Sequence, residues 1–124
     1  PETTKKITAY ATGLITVSGP SLRAAMASYK DGSFKDMVKK KNTEAREYTF
    51  GELKKLGFAP VPSNTSFMIF PIRMQPREYL ESMNKQGVAV RSWVFDDQNW
   101  CRVSIGTLDE MKSFIAALKV VHKS

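Results

Sequence analysis

The stretch VAVRSWVFDDQNWCRVSIGT, residues 88–107, decides the fold. VAVRSW reads as one strand and WCRVSIG as another, with VFDDQN between them as a loop. A strand turns alternate residues to opposite faces, so Trp100, Arg102 and Ser104 share one face and Cys101, Val103 and Ile105 the other. The second set makes a buried face. The first places a guanidinium between an aromatic ring and a hydroxyl, and Arg91 joins it on the same side if the two strands pair across the loop. Next comes a helix. Thr107 and Glu110, three residues on, form a capping box, and Leu108, Met111, Phe114, Ile115 and Leu118 recur along one side.

Upstream, QPREYLESMNKQG (75–87) reads as a compact helix, with Pro76 early, Tyr79, Leu80 and Met83 on one face and Gly87 as terminator. FAPVP (58–62) and SFMIFPI (66–72) are extended runs bounded by prolines and read as strands. A long helix from Ser33 to a stop at Gly57 carries Phe34, Met37, Val38, Ala45, Tyr48, Leu53 and Leu56 at helical spacing. Lys39, Glu44, Arg46 and Glu47 lie between them on a face turned to water. Before it, PSLRAAMASYKDG gives a short helix with Leu22, Ala25, Met26 and Tyr29 on one side. The opening PETTKKITAYATGL gives another, with Ile7, Tyr10, Ala11 and Leu14 as its stripe. This order predicts an α+β domain: a small mixed or antiparallel sheet covered by helices. Residues 1–31 are expected to be a helical segment linking to another domain, and residues 32–124 the sheet-bearing domain.

With 124 residues, 42% hydrophobic and 25% charged, the chain has the composition of a single globular domain. It has no apolar run of membrane-spanning length and no signal-peptide pattern, and it opens on Pro1 rather than Met, which implies that residues upstream are missing. One cysteine, Cys101, excludes an internal disulfide or a cysteine cluster, and the one histidine, His122, reads as a solvated residue near the end. No metal site built on His or Cys is therefore expected, although carboxylates alone could still hold a hard cation, and no catalytic residue is expected: a Gly-rich phosphate loop, a nucleophile elbow and a pair of histidines are all missing.

The net charge of +7 is dispersed. The one cluster, VKKKN (38–42), sits beside Glu44 and Glu47 and reads as a solvated helix face, and the basic residues are not interleaved with a row of exposed aromatics. Neither nucleic acid nor membrane is expected as a partner. Arg102 admits two readings. In the first, its stem covers apolar surface while its head reaches water or pairs with Asp96, Asp97 or Glu110. In the second, it receives an anion from outside, because a guanidinium meets a carboxylate or phosphate with two parallel hydrogen bonds.

GVAVRSW followed by WCRVSIGTLDEMKSFIAALK resembles the end of a fold-type I, pyridoxal-phosphate-dependent class I/II aminotransferase, closest to the histidinol-phosphate aminotransferase group. EAREYTFGELKKLGFAPVPSNTSFMIF is similar to that group's arginine- and glutamate-bearing helix, "L…G" turn and following strand. PETTKKITAYATGLITVSGPSLRAAMAS resembles the segment after the cofactor lysine. The sequence departs from the pattern at Ser66, where asparagine usually precedes the aromatic at 67.

The resemblance implies a C-terminal, substrate-gripping small domain of a transaminase. In it Arg102 holds the substrate's carboxylate or phosphate end and Arg91 helps hold a phosphate. The cofactor would be pyridoxal 5′-phosphate, bound by residues outside this chain, since the Schiff-base lysine and the other cofactor ligands of the family are not found in it. The chain alone is then expected to be inactive, and the parent to be a cytoplasmic homodimer acting on a small amino acid or amino-phosphate. Decarboxylation within the same fold stays open beside transamination. The alternative from a different class is a free-standing ferredoxin-like module that binds a small anion or nucleic acid on its sheet.

Overall fold

The computed structural model of the chain describes residues 2–10 and 17–123. Their order is α1 (Glu2–Tyr10), α2 (Gly19–Lys30), α3 (Gly32–Lys55), β1 (Phe67–Ile72), α4 (Pro76–Lys85), β2 (Arg91–Phe95), β3 (Gln98–Ser104) and α5 (Leu108–Lys123). The chain divides into two compact units, residues 1–36 and 37–124, and the division falls within α3.

In the first unit, the Ser18 hydroxyl accepts from the backbone N–H of Ser21 at 3.3 Å and Pro20 stands in the first turn, which starts α2. Asp31 ends one helix and begins the next. Its N–H donates to the Ala27 carbonyl, while its carboxylate accepts from the Phe34 N–H at 2.9 Å and the Ser33 hydroxyl at 2.8 Å. Those bonds, the one from Phe34 foremost, hold the Asp31 carboxyl below its ordinary range. None of α2 is buried, and the predicted stripe of Leu22, Met26 and Tyr29 is open to solvent. Of the stripe expected on the first helix, Ala11 and Leu14 and the side chains of Ile7 and Tyr10 lie outside the described residues.

The second unit is an α+β layer, as the sequence predicts. Its sheet has three strands in the order β1-β3-β2, both pairings antiparallel. β1 and β2 therefore run parallel on either side of β3, with α4 connecting them: a split β-α-β arrangement closed by the β2–β3 hairpin. Met68, Phe70 and Ile72 of β1 and Cys101 and Val103 of β3 turn to one face. There they pack with Tyr79 and Met83 of α4 and with Met111, Phe114, Ile115 and Leu118 of α5 in one buried core. From α3 the core takes Ala45, Thr49 and Leu53, four residues apart, and the Thr49 hydroxyl bonds back to the Ala45 carbonyl at 2.7 Å. Phe34, Met37 and Val38, expected on the packed stripe, are exposed.

Of the three glycines read as helix stops, Gly57 and Gly87 hold, whereas Gly32 opens α3 and α2 is capped by Asp31 instead. Gly57 and Gly87 have φ of 84° and 76°, and each lies in a paired-bond C-cap. Phe58 N–H reaches the Leu53 carbonyl and Gly57 N–H that of Lys54; Val88 and Gly87 repeat this on Met83 and Asn84. FAPVP is not a strand. Pro60 and Pro62 supply no ladder donor, and a single bond, from the Val61 N–H to the Ile69 carbonyl at 2.9 Å, ties this run to β1. VFDDQN is less of a loop than its composition suggests. Pairing runs on to Phe95↔Gln98, leaving a two-residue turn at Asp96 and Asp97 with φ of 52° and 55°, a type I′ hairpin.

Candidate functional site

The β3 residues facing away from the core are Trp100, Arg102 and Ser104, as alternation predicts. Their partners are Pro71, Ile69 and Phe67 on β1, and Trp93 and Arg91 opposite Trp100 and Arg102 on β2. Arg91 and Arg102 thus stand directly across from one another on the same face. The Arg102 guanidinium lies over the Phe67 ring, 4.3 Å from its centroid, a cation–π contact that fixes the fork against the sheet. Its Nε is buried and has no hydrogen-bond partner. The Trp100 indole N–H donates to the Phe95 carbonyl at 3.3 Å, so this ring is held in place as well.

The carboxylates that were candidates to neutralise Arg102 are engaged elsewhere or are absent from it. Glu110 accepts from the Thr107 N–H and hydroxyl, and Asp96 and Asp97 form the hairpin turn. Among the described residues, neither Arg91 nor Arg102 takes part in an ion pair. Like charges directly opposite on a sheet are destabilising, and a buried donor without a partner costs about 1–3 kcal/mol. The face also holds Phe67, Trp93 and Trp100 around the arginines, of which only Trp93 is exposed. The register of β2 on β3, which the sequence leaves open, brings them together.

A concavity of about 520 Å³ lies elsewhere, along Phe58, Ile72, Arg73, Tyr79, Gln98 and His122. His122 is exposed, as predicted, but on α5 rather than in a tail, with its ring 4.9 Å from that of Phe58. Tyr79 is buried and its hydroxyl has no well-aligned partner. Burial pushes its phenol above the ordinary range, and the nearby Cys101 thiol adds to the shift without forming a good hydrogen bond. Burial likewise pushes the Cys101 thiol up to about 12, so it is neutral and unreactive at physiological pH.

Neither place fits a pyridoxal phosphate. The concavity is lined by no lysine and no carboxylate, and every lysine whose side chain is described is exposed, so no buried amine is available for a Schiff base. Among the described residues no cluster of His, Cys, Asp and Glu would hold a metal ion, and no helix is long and apolar enough to cross a membrane.

No protein-family model matches the chain. It is 30% identical over 99 residues, 79% of its length, to the histidinol-phosphate aminotransferase of Moorella thermoacetica, and covers 26% of that protein. It is 31% identical over 115 residues to the one from Methanopyrus kandleri, with 87% of this chain and 29% of the relative covered. A crystal structure from Erwinia carotovora atroseptica, provisionally named a histidinol-phosphate aminotransferase, superimposes with a TM-score of 0.81 at 27% identity, over 92% of this chain and 33% of that one. The chain thus spans under a third of the length of the curated relatives it matches. These likenesses favour the aminotransferase reading over a free-standing ferredoxin-like module. Shared sequence and shared fold together make this chain a homologue of one part of the histidinol-phosphate aminotransferases.

Proposed function

We propose that the chain is the C-terminal, substrate-gripping part of a pyridoxal-phosphate-dependent transaminase, acting in the cytoplasm as a homodimer on an amino acid or an amino-phosphate. The observation that carries this reading is the facing pair Arg91 and Arg102, free of carboxylate partners, with the Arg102 fork braced on Phe67. Two planar forks on adjacent strands suit a carboxylate or phosphate, which they orient as well as neutralise. The sheet and its covering helices set that geometry before the substrate arrives, so binding energy goes into orientation rather than into ordering the site. Cofactor and proton transfer belong to residues outside these 124, and the chain alone is inactive.

The test is Arg102→Ala and Arg102→Lys in the full-length protein. The expected result is a fall in kcat/KM of about a hundredfold or more, the scale of a lost charge-assisted fork, with the absorbance of the bound cofactor unchanged. Lysine, which keeps the charge and loses the fork, recovers only part. Undiminished kcat/KM in the alanine variant overturns the proposal. A full-length protein without cofactor absorbance, whose Arg102→Ala variant loses salt-sensitive nucleic-acid binding instead, points to the binding-module alternative.

A further inference from the structure

The concavity at the end of the core has all its walls in the second unit. The turn after α3 gives Leu56 and Phe58, β1 ends there at Ile72, and α5 supplies Leu118 and Val121. Its volume of about 520 Å³ falls within the roughly 300–1,000 Å³ of small-molecule sites. Gly57, at φ 84°, turns the chain so that Phe58 packs against both Phe70 of the core and His122, with ring centroids 5.2 and 4.9 Å away. One wall is thus an aromatic ring held by two others.

This space does not belong to the Arg91–Arg102 pair. Arg102 lies opposite Ile69 on the outer face of the sheet, whereas Ile72 turns to the core face, further along β1.

The polar groups of the lining narrow what suits it. Arg73 is its one permanently charged residue, and the lining contains no aspartate or glutamate. Arg73 is exposed and forms no ion pair among the described residues. The Gln98 side-chain amide donates to the carbonyls of Ile72 and Asn99 at 3.2 and 3.0 Å, so it does not compete for an anion. Tyr79, buried in the wall, keeps a hydroxyl without a hydrogen-bond partner, an unspent donor. A single cation beside an apolar wall matches a monoanion with an apolar body. The guanidinium meets a carboxylate with two parallel hydrogen bonds, and the body leaves water against the rings and aliphatic side chains.

We propose that this concavity binds a small monocarboxylic acid with an aromatic or branched apolar body, its carboxylate on Arg73 and its body along Phe58, Ile72 and Leu118. The inference goes beyond the transaminase reading and does not rest on it.

Isothermal titration of the full-length protein with 4-phenylbutyrate tests this. Arg102→Ala serves as the background, so that a carboxylate held by the arginine pair does not contribute. The expected result there is saturable binding, tighter by about tenfold or more than that of the neutral 4-phenylbutanol, the scale of one hydrogen-bonded charge. Arg73→Glu, added to that background, is expected to weaken binding by about tenfold or more. Ala59→Trp, which sets a large ring on an exposed position of the lining, is expected to abolish it, with far-UV circular dichroism unchanged in both. Absence of binding in the Arg102→Ala background overturns the proposal; if the unsubstituted protein still binds the probe, the carboxylate sits on the arginine pair, and the transaminase reading stands alone. Equal affinity with and without Arg73→Glu overturns it as well. If Ala59→Trp loses its fold, Arg73→Glu decides alone.

Discussion

Gly106 and Glu110 account for the way the strand that carries Arg102 ends. The Glu110 carboxylate reaches back to the Thr107 N–H at 2.7 Å, and a Cβ at position 106 would run into that carboxylate. The cap thus accounts for the Gly-Thr pair. Gly106→Ala is expected to displace Glu110 and lower Tm by a few degrees, read by thermal unfolding. The bond from Thr107 holds the Glu110 carboxyl below its ordinary value of 4.5. A carboxyl depressed in the folded state stabilises above its unfolded value and stops doing so as pH falls through the folded one. Acid titration should thus weaken α5 below about pH 4.5, and Glu110→Gln, which keeps the cap without the charge, should flatten that loss.

Cys101 works in the opposite sense. Its pKa is raised by burial, from 9.0 to about 12, so its contribution is complete below pH 9 and is lost as pH climbs toward 12. Cys101→Ala should reduce the alkaline sensitivity seen in urea titrations. Asp96 and Asp97 both hold positive φ, which an Asn-Gly pair adopts with less strain; that double replacement should stabilise the chain by about 1 kcal/mol in the same titrations.

At the scale of elements, what could be read from the sequence was what rests on local chemistry. Gly57 and Gly87 stop helices because only glycine takes their φ readily, and the capping box announces α5 three residues ahead. Alternation was enough to sort the two faces of β3. The misses have non-local causes. Phe34, Met37 and Val38 have helical spacing but are exposed, while Ala45 and Leu53 of the same predicted stripe, with Thr49 between them, carry the contact with the core. Pro60 and Pro62 kept FAPVP out of the sheet, yet Pro71 sits inside β1, because β1 is an edge strand and one missing donor can face outward. Phe70 lies at the centre of the core, against Phe58 and Phe114. Phe70→Ala should cost about 3–5 kcal/mol in denaturant unfolding, and more than the exposed Phe34→Ala by nearly that whole amount.

Across the whole molecule, the homology covers most of the chain but under a third of each relative, and the residues it leaves behind are informative. The sheet carries two facing arginines and no lysine, which is the arrangement the proposed role of holding an anion calls for. The sequence suggested Arg102 at once, from its position among apolar neighbours. It could only suggest Arg91 conditionally, since the pairing of β2 with β3 depends on a turn whose two aspartates do not advertise type I′ geometry. Trp100 beside Arg102 was legible from alternation, but Phe67 was not, because it is brought there from 35 positions away by the β1–β3 register, which no local pattern encodes.

The strand order has a consequence for time as well as for shape. β2 and β3 are joined by two residues and can zip together in microseconds, whereas β1 must close a loop from Phe67 to Ser104 before it gains any bond to β3. The hairpin is then expected to be formed in the folding transition state and β1 to dock late. In stopped-flow experiments, relaxing the Asp96–Asp97 turn should mainly quicken folding, while Ile69→Val in β1 should mainly quicken unfolding. Until β1 arrives, Phe67 is not beneath Arg102, so the braced guanidinium is the last part of the sheet to be made.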